Sequence, residues 1–195
     1  MRTTRRDCLE WMGALAGTLV LPAAFAGENG PARREDHKTL TLYYSWSGSS
    51  ATVAREVHRI LGGDLLRIET EKAYPTVYEE MTKVAMSEER AGARPALKTA
   101  LPDVSRYDTI VLGHPIWHGR MPMAFYTLLE ALDLAGRDVL HWTTNGGSGL
   151  GDSHAELARL QPSCRLLEPL SVYGWGGVRD LAAVGTWLRR VRAQP

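Results

Sequence analysis

Apolar residues recur along this chain in two alternating rhythms. Thr39 to Tyr44 is a β-branched and aromatic run of strand length. From Ser50 to Leu61 the apolar positions Val53, Ala54, Val57, Ile60 and Leu61 fall at helical spacing, and Gly62-Gly63 ends that helix. The alternation repeats. Strands are predicted at Asp64 to Glu69, Thr109 to Gly113 and Asp138 to Thr143, with a last one over Arg165 to Tyr173 interrupted by Pro169. Helices are predicted at about Tyr78 to Arg90, Met123 to Leu134, Asp152 to Leu160 and Val178 to Arg192, the last burying Leu181, Val184, Leu188 and Val191 on one face. Strands that alternate with helices imply a doubly wound α/β domain, a five-stranded parallel sheet with helices on both faces. Ligands of such sheets lie outside the carboxyl ends of the strands. The loops leaving Tyr44, Gly113 and Thr143 are therefore where function is expected.

Composition narrows the choice. The 195 residues are 44% hydrophobic and 23% charged, ordinary for one folded domain, and Lys+Arg of 23 against Asp+Glu of 22 leaves no basic excess for nucleic acid. The first 26 residues stand apart. Arg2, Arg5 and Arg6 precede a moderately apolar run from Trp11 to Phe25, and Ala24-Phe25-Ala26 has the small-x-small form of a cleavage site. The segment Thr4-Arg5-Arg6-Asp7-Cys8-Leu9 resembles a twin-arginine export signal, with Cys8 at a position where Phe is usual. The alternative is an N-terminal anchor, for which fifteen residues holding Gly13, Gly17, Thr18 and Pro22 are short against the about 20 a span needs. The expected organisation is an export signal at 1–26, a linker at 27–38 and one domain at 39–195, with a periplasmic destination and no stable membrane insertion once the signal is removed. Removal would take Arg2, Arg5, Arg6, Asp7 and Glu10 and leave acidic and basic side chains equal in number. It would also leave Cys164 as the single cysteine, so no internal disulfide is expected.

Each of the three loops carries its own chemistry. In the first, Ser45, Trp46, Ser47, Gly48, Ser49 and Ser50 place four hydroxyls and a glycine at a helix N-terminus, where backbone N–H groups and the helix dipole favour an anion. No G-x-x-x-x-G-K-[ST] or G-x-G-x-x-G pattern is present, so a single terminal phosphate fits better than a nucleoside triphosphate or a dinucleotide. The second loop, His114-Pro115-Ile116-Trp117-His118-Gly119-Arg120-Met121-Pro122, is stiffened by its prolines. It presents Trp117 either to a flat ring system or back to the core. In the third, Thr143, Thr144, Asn145, Gly146, Gly147 and Ser148 lead into Gly149 and Gly151, so the backbone can approach a ligand closely. Asp152 is the expected cap of the following helix.

Together these segments resemble the flavodoxin-like family. Tyr44 to Ser50 is similar to its phosphate loop, with Ser47, Ser49 and Ser50 where Thr, Asn and Thr are usual. Gly113-His114-Pro115-Ile116-Trp117 with Gly119 resembles the P-I-W-x-G flavin-stacking loop of a bacterial subfamily, and Thr144 to Gly149 resembles its third loop. Tyr74-Pro75, Tyr78, Glu88 and Arg94-Pro95 fall as they do in that subfamily. The resemblance implies strand order 2-1-3-4-5 and FMN as cofactor, its phosphate on the first loop and its ring against Trp117. It also implies a Gly119 carbonyl able to turn toward the ring, with His118 and Arg120 either at a solvated rim or near the ring as positive charge. The chemistry would then belong to the flavin, with no catalytic side chain and no metal. Three roles remain open: an electron carrier to a partner protein, an FMN-dependent NAD(P)H:quinone-type reductase of small acceptors, and a flavin-free binding module.

Overall fold

The computed structural model describes residues 38–193. The expected export signal at 1–26 and nearly all of the linker lie outside them. Six strands and five helices follow one another as β1 Thr39–Tyr43, α1 Ser49–Leu61, β2 Asp64–Arg67, α2 Tyr78–Ala91, β3 Thr109–Pro115, α3 Met123–Ala131, β4 Asp138–Asn145, α4 Ser153–Leu160, β5 Arg165–Leu166, β6 Leu170–Tyr173 and α5 Ala182–Arg192. All pairings are parallel and the order is β2-β1-β3-β4-β5, as expected, with β6 also pairing β4. β5 and β6 are two halves of the strand predicted over Arg165 to Tyr173. Pro169 lies between them, where a residue without an N–H cannot continue the ladder.

Alternation along the strands sorts the core into two layers. Leu40, Leu42, Ile110, Leu112 and Val139 face α3 and α4, where Phe125, Leu128, Leu129 and Leu157 are buried. Val111, Leu140 and Trp142 face α1 and α5, where Val53, Val57, Val184, Trp187 and Leu188 are buried. The α5 stripe adds Trp187 to the predicted set. Leu181 instead sits at the N-cap, because the helix begins at Ala182, later than predicted. Asp152 does occupy the N-cap of α4, but its side chain makes no capping bond. Among the described residues no helix is long and apolar enough to cross a membrane.

Two boundary shifts bear on function. β3 runs on to Pro115 and β4 to Asn145, so His114 pairs with Thr143 and Pro115 with Thr144. Residues expected in loops are thereby fixed by the sheet, and the second and third loops begin about two residues later than the apolar pattern implied.

Candidate functional site

The carboxyl ends of β1, β3, β4 and β6 open on a cleft of about 1010 Å³. Of the sequence-predicted residues, Trp46, Ser47, Ser49, Pro115, Ile116, Trp117, His118, Thr144, Asn145, Gly146 and Ser148 line it. Ser45, Gly48, Ser50, Gly119, Thr143 and Gly147 do not; of these Ser45, Ser50 and Thr143 are buried behind it.

The first loop turns into α1 through Gly48, which adopts the left-handed region at φ 95° and caps the helix in place of a serine. The first-turn N–H groups of any helix precede an intrahelical acceptor. Here one of them, Ala51 N–H, is met by the buried Ser45 Oγ at 3.1 Å. Ser50 shares a 2.7 Å hydrogen bond with Thr144 Oγ1 beneath the cleft, which ties the first loop to the third. Ser47 and Ser49 remain at the lining, Ser47 Oγ donating to Ser49 Oγ at 3.4 Å. The result is a helix N-terminus ringed by hydroxyls, with no Lys or Arg among the described residues that line the cleft.

The second loop closes on itself. Trp117 and Arg120 exchange reciprocal backbone hydrogen bonds of 2.9 Å, and His118 and Gly119 between them have φ of 48° and 81°. Positive φ at both central positions is the geometry of a type I′ turn. Trp117 is half-buried, and its ring meets Tyr44 edge-on at 5.6 Å and Tyr74 at 5.0 Å. It therefore both packs on the core and lines the cleft. Tyr74 is itself held by donating to Glu88 Oε2 at 2.6 Å; burial, then this hydrogen bond, pushes its phenol well up. Burial likewise raises the Glu88 carboxyl, against the opposing pull of the Tyr74 hydroxyl.

The turn's polar side chains are paired. His118 Nδ1 lies 3.5 Å from Glu89, and Arg120 pairs with Glu89 at 3.7 Å and with the buried Glu156 through Nε at 2.8 Å. Glu156 also accepts the Tyr126 hydroxyl. Arg120 thus binds the second loop to α4 rather than entering the cleft. Gly119's carbonyl accepts Asp152 N–H at 2.8 Å, so turning it toward a ligand would break that bond. The third loop is shaped by Asn145, whose Oδ1 accepts Gly147 N–H at 2.8 Å and whose Nδ2 donates to Ser171 Oγ at 2.8 Å.

Two features were missed from the sequence. One is a fourth loop after β6, whose Gly174, Trp175 and Gly176 line the cleft together with Tyr173, and with Tyr78 at the start of α2. A glycine-rich segment directly after a strand was its signal. The other is a line of three histidines behind the second loop. His114 Nδ1 lies 2.9 Å from the Pro115 carbonyl, His114 Nε2 lies 2.9 Å from His141 Nε2, and His141 Nδ1 lies 3.2 Å from His154 Nδ1. A carbonyl can only accept, which assigns the neutral tautomers in turn: His114 carries its proton on Nδ1, His141 on Nε2 and His154 on Nδ1. Burial pushes His114 down to about 4 and His141 well below its ordinary value.

Fold and cleft together define a doubly wound α/β protein with a hydroxyl- and aromatic-lined cleft at the carboxyl edge of its sheet. The sequence profile of the flavodoxin family matches residues 38–176, and the chain belongs to that family. Among solved structures, a candidate flavoprotein from Bacteroides eggerthii is 27% identical, with a TM-score of 0.67 over 80% of this chain and 99% of that one. A candidate flavoprotein from Bacteroides uniformis is 28% identical, with a TM-score of 0.68 over 78% and 98%. A flavoprotein from Lactobacillus acidophilus, solved in complex with FMN, shares the fold at 21% identity, with a TM-score of 0.61 over 78% and 99%. No curated protein matches the chain.

Proposed function

We propose that the cleft binds FMN and that the protein is an electron carrier serving a partner protein outside the cytoplasm. The observation that carries the reading is the joining of a hydroxyl-ringed helix N-terminus and a fixed indole in one cleft. A doubly charged phosphate needs N–H and O–H donors at such a terminus and no cation. Ser47, Ser49 and the first turn of α1 supply them. Trp117 offers the ring an indole already oriented by Tyr44 and Tyr74, so little side-chain freedom is lost on binding. Gly146 and Ser148 bring main-chain polar groups to the cleft for the ring's polar rim. FMN supplies the electron-transfer chemistry when bound. The sequence offers no segment assignable to nicotinamide binding, which favours the carrier over the reductase. Export rests on Arg5-Arg6 and the apolar run that follows; the twin-arginine route is understood to carry folded proteins, which suits a non-covalent cofactor loaded before export.

Two measurements test this reading. Trp117→Ala is expected to weaken FMN binding about tenfold or more, the effect of losing one stacked ring; an unchanged Kd contradicts the ring placement. NADPH added anaerobically to the flavin-loaded protein is expected to leave its yellow colour intact while dithionite bleaches it. Rapid bleaching by NADPH alone would make the protein a reductase.

A further inference from the structure

Trp175 is 57% exposed, unusual for the largest apolar side chain, yet its position is tightly fixed. It stands at a corner of the turn Gly174–Gly177, which closes with Gly177 N–H donating to the Gly174 carbonyl at 3.1 Å and has φ 71° at Gly176. A positive φ at the third position is what a type II turn requires and what glycine supplies. The turn is bound to two of the loops already described. Gly174 N–H donates to the Asn145 carbonyl at 2.9 Å, and Ser49 Oγ donates to the Gly174 carbonyl at 2.7 Å. A Cβ on Gly174 would lie 3.1 Å from Thr144 Cβ and 3.2 Å from Ser49 Cβ, so the approach is close on both sides.

The aromatic rings in and behind the cleft fall into two clusters. Tyr44, Tyr74 and Trp117 form one. Trp175 belongs to the other: its ring meets Tyr78 edge-on at 5.2 Å, and Tyr78 in turn meets Trp46 of the first loop at 6.2 Å. Trp175 also covers Gly146, where an added Cβ would be 3.5 Å from its ring. Tyr78, Tyr173 and Trp175 are three of the five large apolar side chains that the described residues leave exposed, and all three line this one cleft. Concentrated apolar exposure of this kind marks a binding surface. With Glu79 and His118 as the only acidic or basic side chains of the lining among the described residues, the surface suits a flat, largely uncharged ring.

We propose that the Gly174–Gly177 turn is a fourth cofactor loop and that Trp175 is its direct contact with FMN, the ligand being taken between the two aromatic clusters. This rests on the cofactor reading given above. The test compares wild type, Trp175→Ala and Trp175→Phe as apoproteins, with FMN as the probe. Flavin fluorescence quenching gives Kd, its decay on dilution gives the off-rate, and apoprotein Tm reports folding. Trp175→Ala is expected to raise Kd about tenfold, mostly through a faster off-rate, with Tm little changed because the side chain is largely exposed. Trp175→Phe is expected to recover most of the affinity. If wild type binds FMN and Trp175→Ala binds it equally well, this proposal is overturned and the cofactor reading stands. If Trp175→Phe is as weak as Trp175→Ala with Tm intact, aromatic contact is not the cause and the proposal also fails. A wild-type protein that leaves FMN fluorescence unchanged overturns both.

Discussion

Lowering the pH from 6.5 to 4 is expected to remove about 3 kcal/mol of stability, and the line of three histidines is the reason. An unfolded histidine takes its proton near pH 6.5, whereas His114, fully buried against Phe125 and hydrogen-bonded to His141, takes one only near 4. Between those values the unfolded chain binds more protons than the folded one, so stability is complete above pH 6.5 and falls as acid is added. At about 1.4 kcal/mol per pH unit the His114 gap alone gives the figure above. His141, held well below its ordinary value by burial and by its histidine neighbours, and His154, lowered by burial, push in the same direction. Glu88 works against them: its raised carboxyl makes the folded state take up a proton before the unfolded one does. Glu130, held by the Arg94 guanidinium, and Asp103, hydrogen-bonded by Ser105, sit below their ordinary values and lose their contribution only at the acid end of the range. Between pH 7 and 5 the three histidines act together against Glu88 alone, and a falling urea midpoint is the expected net result. A midpoint that does not fall over that interval contradicts this assignment. His114→Gln, which can still accept from His141 but cannot titrate, is expected to give a shallower dependence.

Gly113→Ala is expected to destabilise the fold by about 3 kcal/mol, the upper end of what overpacking a core normally costs. The reason is the register of the two central strands. Gly113 of β3 lies opposite Trp142 of β4, and the indole crosses the glycine so closely that a Cβ would fall 1.9 Å from Trp142 Cζ2. Trp142 is fully buried between the sheet, α1 and α5, so it has no vacant space to move into. The strands would have to part instead. They part at the point from which the second and third loops depart, so ligand affinity is expected to fall along with stability. Thermal unfolding of the variant reads the effect directly, and a Tm within a degree or two of wild type would show that the indole can relocate.

The sequence revealed the fold well because each strand and helix carries its own period, and helices alternate with strands throughout the described chain despite the irregular stretch between α2 and β3. It revealed the first three loops because serines, prolines and glycines cluster where strands end. What it hid depended on register. His114, His141 and His154 have no meaningful spacing along the chain; strands β3 and β4 and helix α4 bring them into line. The same holds for Gly113, which reads as the end of a strand until Trp142 is placed beside it. Gly174-Trp175-Gly176-Gly177 did carry a loop signal, but it follows a strand broken by Pro169, and the predicted helix began immediately after it, at Val178. Among the serines of the first loop, composition did not separate those at the surface from those beneath. Ser45 and Ser50 are buried structural donors and acceptors, while Ser47 and Ser49 reach the cleft.

The central claim is that one cleft holds a phosphate at the start of α1 and a flat ring among its indoles. Parallel fluorescence titrations of the apoprotein with FMN and with riboflavin, which has the same ring without the phosphate, test both halves at once. The account predicts saturable quenching of FMN at one equivalent per chain, with riboflavin bound at least tenfold more weakly. Equal affinity for the two ligands would contradict the phosphate site, and no quenching of either would contradict the cleft's assignment altogether.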